Sequence, residues 1–424
     1  MDLVVKKSCL KGRIVVPGSK SHAVRALVLA SLADGVSRIR SPPYFDDSAA
    51  CLGGCRAFGA VIEEKGCWVV KGFNGRPGTP AKDVDLANSG ISTNFLAGVA
   101  AHAKGPTVIT GGDSLRSRPF APICRGITDL GGKAEPADGA GRPPLKISGF
   151  LRGGCAEIDG LSSQPVSSLL VSCAVAARDS EINVVDPHET PYVEMTLRWM
   201  ESLGLRCRAS GDFARFSVSG GQSPKPFDRR IPGDWSSAAF PLCAAAVTPG
   251  SEVLVEGLDM DDSQGDREIL GVLKRMGADI RVLKRGILVR HGPLSGIEVD
   301  LNGMPDALPA LAVAGCFAEG ETRLVNVPQA RIKETDRIAA MGAGLRKMGA
   351  GIEERPDGLV VRKSSLKGAE VRGCNDHRTI MALAVAGLNA TGVTRISTAE
   401  GVKKTYPSFV DSMRGIGAKM GLSQ

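Results

Sequence analysis

Arg275-Met276-Gly277-Ala278-Asp279 and Lys347-Met348-Gly349-Ala350-Gly351 share one pattern: an apolar helical run ends at a glycine, a small or polar residue follows, and an apolar strand begins. The pattern recurs at Ala57-Phe58-Gly59-Ala60-Val61, Asp129-Leu130-Gly131-Gly132-Lys133, Ser202-Leu203-Gly204-Leu205-Arg206 and Gly415-Ile416-Gly417-Ala418-Lys419. Any one of these glycines is an ordinary helix end, where the left-handed backbone costs glycine little. Six of them, spaced by 72, 73, 73, 72 and 68 residues, make an internal repeat.

The flanking residues agree with a repeat. Segments 61–71, 205–219, 280–290 and 352–363 each read as two strands around a short turn, with Arg355-Pro356-Asp357-Gly358 the clearest turn. Before the fifth glycine, Ile338, Met341, Leu345 and Met348 keep helical spacing. The unit is therefore about seventy residues of mixed α and β structure. The sixth glycine stands seven residues from the end of the 424-residue chain, too few for its hairpin. The strand-like runs 3–6 and 12–16 are expected to complete that last unit. Three units per domain follow: residues 1–18 with 233–424 form one domain and 19–232 an inserted one, joined by crossings near 17–20 and 230–234. Two hinged domains can close on a ligand, and ligand sites favour such places.

Composition narrows the function. Hydrophobic residues are 43% and charged residues 23%, a globular balance, and 424 residues exceed what one core usually serves. No apolar run approaches a membrane span, the opening MDLVVKKSCLKGR has no secretory pattern, and eleven cysteines show no disulfide spacing. The expectation is a cytoplasmic protein that does not act at a membrane. The net charge of +8 favours anionic partners, while aromatic residues at 4% and the lack of a basic block disfavour nucleic acid. Small anions are the expected ligands.

Several clusters suit such ligands. Pro17-Gly18-Ser19-Lys20-Ser21-His22-Ala23-Val24-Arg25 opens a helical pattern, where free N–H groups, Lys20, Ser21 and Arg25 could bind an anion; a capped surface helix reads equally well. Ser162-Ser163-Gln164 precedes another apolar helix, and Arg116-Ser117-Arg118-Pro119 sets two guanidiniums near a helix start. In Arg331-Ile332-Lys333-Glu334-Thr335-Asp336-Arg337, Lys333 and Arg337 are expected on one helical face, as part of a site or as ion pairs on a helix surface. Asn375-Asp376-His377-Arg378 and Lys404-Thr405-Tyr406-Pro407 complete the set, with Asp306 where an acid would ordinarily cap the following helix. Cys51 and Cys55 lack a second zinc-spaced pair, and no HExxH, GxSxG or GxGxxG motif occurs.

In order, these motifs, together with Asn88-Ser89-Gly90 and Gly233-Asp234-Trp235-Ser236-Ser237-Ala238, resemble the EPSP synthase family over nearly the whole chain. The resemblance implies an α/β fold of two similar domains, each of three βαβαββ units, hinged by two crossings. It implies transfer of the enolpyruvyl group of phosphoenolpyruvate to the 5-hydroxyl of shikimate 3-phosphate, with no metal or organic cofactor, in a monomer. Carried over by position, Ser21, Arg25, Ser162, Ser163, Gln164, Tyr192 and Lys333 would hold shikimate 3-phosphate, with Lys20 and Asp306 beside it. Lys20, Arg118, Arg337, Arg378 and Lys404 would grip phosphoenolpyruvate, with Gly90 and Gln164 close by. Asp306 would accept the hydroxyl proton and Glu334 would protonate the methylene carbon, with Lys20 and Lys404 the other candidate proton carriers.

The chain departs from the family pattern at Ile91, where Thr is usual, at Asn94, where Arg is usual, at Val24, commonly Asn or His, and at Glu189, often a serine near a phosphate. Loss of a hydroxyl and a guanidinium implies weakened inhibition by glyphosate. The alternatives are an enolpyruvyl transferase for a different alcohol, such as the UDP-N-acetylglucosamine enzyme with its catalytic cysteine (Cys124 lies in that neighbourhood), and a non-catalytic anion-binding relative. Retention of both Asp306 and Glu334 speaks against pure anion binding. RNA-cyclase relatives are disfavoured by the missing histidine pattern and the few aromatics.

Overall fold

All six marker glycines take the left-handed backbone, with φ between 81° and 110°. Each ends the second helix of a repeat, and the first five turn the chain into a hairpin, as at Ile269–Met276 followed by Asp279–Leu283 and Gly286–Arg290. The computed structural model describes residues 1–137, 139 and 141–423. They pack as two compact units, Met1–Pro17 with Pro232–Gln424, and Gly18–Ile231.

Each unit holds three four-stranded sheets of one design: a parallel pair extended by two antiparallel strands. In the sheet Gly154–Asp159, Ser180–Val185, Arg215–Val218, Cys207–Ala209, the first two strands run parallel and the others antiparallel. Parallel strands need a long crossover, and the helix Ser163–Val175 supplies it. The fold is the sixfold βαβαββ repeat expected from the glycine spacing.

One expectation about its ends is corrected. Asp2–Lys6 does complete the last sheet, between Val393–Ile396 and Lys419–Ser423. Lys11–Val15 instead joins the fourth sheet, parallel to Glu252–Glu256. The first sheet is completed reciprocally by Asp228–Arg230, parallel to Val36–Arg40. Two units thus take their opening strand from the far side of the chain's excursion. Each excursion provides the long connection that a parallel pairing requires.

The first helix of every repeat is apolar on all sides and buried. Trp235–Val247 has every residue buried, and Leu308–Phe317 and His377–Gly387 pack against it and each other. Lys20–Leu32, Gly90–Ala100 and Ser163–Val175 play the same part in the other unit. A helix without a polar face is a core helix, so only its ends meet solvent. Among the described residues, no helix is long and apolar enough to cross a membrane.

Candidate active site

In the Gly18–Ile231 unit, the three core helices begin at motifs the sequence marks. Ser19 caps the first by accepting from His22 N, Ser89 the second from Ser92 N and Ser162 the third from Gln164 N. Such caps use one helix-end donor and leave others, with positive potential, for an anion.

The side chains around these ends converge. Lys20 Nζ lies 3.2 Å from Asp47 Oδ2, and Ser92 Oγ donates to the Asp47 carbonyl. Asn94 Nδ2 donates to Gly90 O at 3.0 Å and to Gln164 Oε1 at 3.2 Å. A Cβ on Gly90 would lie 2.8 Å from Arg118 Nη1 and 3.7 Å from Gln164 Oε1, so Gly90, Arg118 and Gln164 meet at one point. Arg118 follows the short helix Asp113–Arg116, with Nη2 on Ser114 Oγ.

Arg25 is 1% exposed and held by the protein itself. Its Nε donates to Thr196 Oγ1, its Nη2 to Ser167 Oγ and Tyr192 O, and its Nη1 to Ser21 O. Burial pulls its pKa down to about 10, against the opposing pull of Tyr192 and Glu189. Ser21, Arg25 and Tyr192 are thus joined. Ser163 faces Glu189, whose carboxylate accepts from Ser163 N at 3.1 Å and Ser163 Oγ at 2.8 Å.

The other unit carries an alternation of acids and bases. Arg337, 1% exposed, bonds three carboxylates: Asp306 at 2.5 Å, Glu334 at 2.6 Å and Asp376 at 3.0 Å. Asp306 turns its second oxygen to Arg378 Nη2 at 2.7 Å, and Glu334 turns its own to Lys404 Nζ at 3.1 Å. Burial would lower the Arg337 pKa, yet Asp376, Glu334 and Asp306 together raise it, so the guanidinium stays charged. Arg378 behaves alike: burial lowers it, Asp306 raises it, and Asp266 and Asp234 help offset the nearby Arg337. Arg378 is 2% exposed, and its Nε and Nη1 are buried with no hydrogen-bond partner among the described residues. Two nitrogens of a charged fork left unmatched in the interior are costly unless a ligand takes their N–H groups.

Two local readings are corrected here. Lys333 and Arg337 do not share a helical face: Asp336 caps the helix by accepting from Ala339 N, so it starts at Arg337, and Lys333 stands in the preceding turn. The ion pairs of this segment include a buried one, Glu334 with Arg337, rather than only a surface ladder. Asp306 does not act as a cap either. It lies in the short 3-10 turn Pro305–Ala307 and spends both oxygens on arginines. Asp376 caps His377–Gly387 while gripping Arg337, a role its motif does not reveal. Asp47 on Lys20, and Thr196 and Ser167 on Arg25, carry no mark in the sequence. Acids in a helix's first turn and hydroxyls inside a helix carry no distinctive signal in one sequence.

Cys124 is buried in Ala121–Asp129, and burial pushes its thiol up to about 12, unsuited to a nucleophile. Among the described residues, no group of His, Cys, Asp and Glu could hold a metal ion.

The family model described as EPSP synthase (3-phosphoshikimate 1-carboxyvinyltransferase) matches residues 4–413. The chain belongs to the EPSP synthase family. It is 46% identical to the 3-phosphoshikimate 1-carboxyvinyltransferase of Acetivibrio thermocellus, over 99% of both chains. It is 40% identical to that of Methanocaldococcus jannaschii, again over 99% of each. An EPSP synthase structure from Acinetobacter baumannii superposes with a TM-score of 0.84 at 27% identity, covering 100% of both chains. EPSP synthase relatives therefore match both repeat-built units rather than one of them.

Proposed function

We propose that this chain transfers the enolpyruvyl group of phosphoenolpyruvate to the 5-hydroxyl of shikimate 3-phosphate, releasing inorganic phosphate. The relatives at 40–46% identity carry that activity in their name. The observation that carries the reading to this chain's residues is the alternation Arg378–Asp306–Arg337–Glu334–Lys404, two carboxylates each held between two cations.

The substrates bring two phosphates and two carboxylates together, so roughly five cationic side chains are needed to offset their repulsion. Lys20, Arg118, Arg337, Arg378 and Lys404 hold phosphoenolpyruvate, with Gly90 and Gln164 adjoining it. Ser21, Arg25, Ser162, Ser163, Gln164, Tyr192 and Lys333 hold shikimate 3-phosphate, with Lys20 and Asp306 beside it. The unmatched N–H groups of Arg378 support its place in that list.

The chemistry is addition followed by elimination. The 5-oxygen bonds to C2 of phosphoenolpyruvate while its proton passes to Asp306 and a proton from Glu334 reaches C3. That gives a tetrahedral phosphate ester. The methyl group then returns a proton to Glu334, the C2–O bond to phosphate breaks as the proton on Asp306 passes to the departing phosphate, and the enol ether and inorganic phosphate leave. Each carboxyl must gain and lose a proton once per turnover; the cations on both sides favour its ionised form, so a proton it takes up is readily given back, and such acid–base steps are each worth about 10²–10⁴-fold. On the same reading the protein works as a cytoplasmic monomer on two small anions.

Phosphate release from purified protein, with each substrate omitted in turn, tests the reading. Release that requires both supports it. Release with phosphoenolpyruvate alone, or none with both, overturns it.

A further inference from the structure

Glu189 is an acid in an unusual position. It is 3% exposed and takes the left-handed backbone, φ 53°, a conformation that costs a non-glycine residue. Local bonds hold it there: Tyr192 N donates to Glu189 O, and His188 N donates to Gly160 O. Its side chain lies on the first turn of the core helix Ser163–Val175, accepting from both the peptide N–H and the hydroxyl of Ser163. It also lies in electrostatic reach of the buried Arg25. A carboxylate here neutralises helix-end donors that would otherwise be open to an anion.

We propose that Glu189 is a specificity-determining residue: a resident anion that occupies the Ser163 donors in the free enzyme and must be displaced by the phosphate of the acceptor substrate. The proposal rests on the reading above that Ser163 binds that phosphate. An ionised carboxylate only accepts hydrogen bonds, so it cannot share the site with a phosphate as a serine hydroxyl would. Two anions on one pair of donors repel, and the protein's own is tethered at high effective concentration. Binding of the phosphorylated acceptor is therefore weakened selectively, while phosphoenolpyruvate, held by other residues, feels little of it. The preference for a phosphorylated over a non-phosphorylated acceptor is compressed as well.

Steady-state kinetics of the wild type, E189S and E189Q test this, with shikimate 3-phosphate and phosphoenolpyruvate varied separately and unphosphorylated shikimate as the comparison acceptor. E189Q keeps the size and removes the charge, and thermal melting checks that each variant is folded. The expected result is a fall of roughly tenfold in KM for shikimate 3-phosphate in both variants, about 1.4 kcal/mol. KM for phosphoenolpyruvate should move less than about twofold, and the preference for shikimate 3-phosphate over shikimate should widen. Unchanged or raised KM for shikimate 3-phosphate in both folded variants overturns the proposal while leaving the functional reading intact. If the wild type releases no phosphate, the functional reading fails instead. Calorimetric binding of shikimate 3-phosphate then decides this proposal: tighter binding by both variants supports it, and equal, weaker or absent binding overturns it.

Discussion

Arg337 and Asp306 meet at 2.5 Å, one fully buried guanidinium on one oxygen of a carboxylate whose other oxygen is held by Arg378. Asp306 is thereby fixed in position while its side chain stays 21% exposed, enough to be reached by a substrate hydroxyl. Glu334 is arranged in the same way between Arg337 and Lys404, at 8% exposure. The shared arginine ties the two proposed proton carriers to one rigid point.

Asp306→Asn and Glu334→Gln keep the size of each group and remove its capacity to carry a proton. Each is expected to lower kcat by about 10²–10⁴-fold with a smaller change in either KM, read by phosphate release. A fall of less than about threefold in kcat for either would remove that residue from the proton path.

Arg337→Ala leaves Asp306, Glu334 and Asp376 facing each other without their common counter-ion. Breaking a buried pair from one side costs about 3–5 kcal/mol; here Asp376 loses its guanidinium, while Asp306 keeps Arg378 and Glu334 keeps Lys404. The denaturation midpoint should fall accordingly in urea unfolding, along with loss of turnover. A variant as stable as the wild type would show that the network relaxes into solvent.

Gly90→Ala places a methyl 2.8 Å from Arg118 Nη1. The obstacle is the tip of a flexible side chain, so the fold should tolerate it. The guanidinium must move by several tenths of an ångström. KM for phosphoenolpyruvate is expected to rise by about tenfold, with the melting temperature near that of the wild type, because misplacing a positioned group costs binding geometry. An unchanged KM would place Arg118 away from that substrate.

Ile91 and Asn94 bear on inhibition. Ile91 is buried in the helix Gly90–Ala100, and Asn94 spends its amide on Gly90 O and Gln164 Oε1. Neither supplies the hydroxyl or the guanidinium usual in the family. Glyphosate is expected to inhibit more weakly than it does a relative with Thr and Arg at these positions, and Ile91→Thr should lower the inhibition constant. Equal inhibition of both proteins at one concentration would contradict this.

His102 supplies a pH dependence. Its ring is buried with Nε2 3.0 Å from Ser172 O, and burial lowers its pKa from 6.5 to about 4. Between those values the unfolded chain takes up a proton that the folded chain refuses. The contribution to stability is therefore complete above pH 6.5 and declines with acid, by about 1.4 kcal/mol per pH unit and about 3 kcal/mol in total. Denaturant unfolding across that range should show this slope in the wild type and a flatter one in His102→Gln. Identical slopes would exclude His102 as the source.

The repeat was legible because it has a local cause. A left-handed glycine at each helix end and the hairpin that follows five of them are decided by residues next to each other, and all six glycines take that backbone. The pairing of Lys11–Val15 with Glu252–Glu256 was not legible, since a strand only five residues long carries no mark of which distant partner it joins. The segment around Lys333 misled for a related reason. Its spacing suits a helix, but the Asp336 cap and the pull of three carboxylates on Arg337 start the helix later.

The sequence alone determined the sixfold α/β architecture, the ordered motifs that mark the family, and the residue types able to bind anions and move protons. These follow from short-range backbone preference and from side-chain chemistry. Only the tertiary structure decided which acids meet which donors: Asp376 and Asp306 on Arg337, Asp47 on Lys20, Glu189 on Ser163. Electrostatic pairing depends on distance and burial in space. These partners lie 26 to 39 positions apart along the chain, and only folding brings them within hydrogen-bond reach.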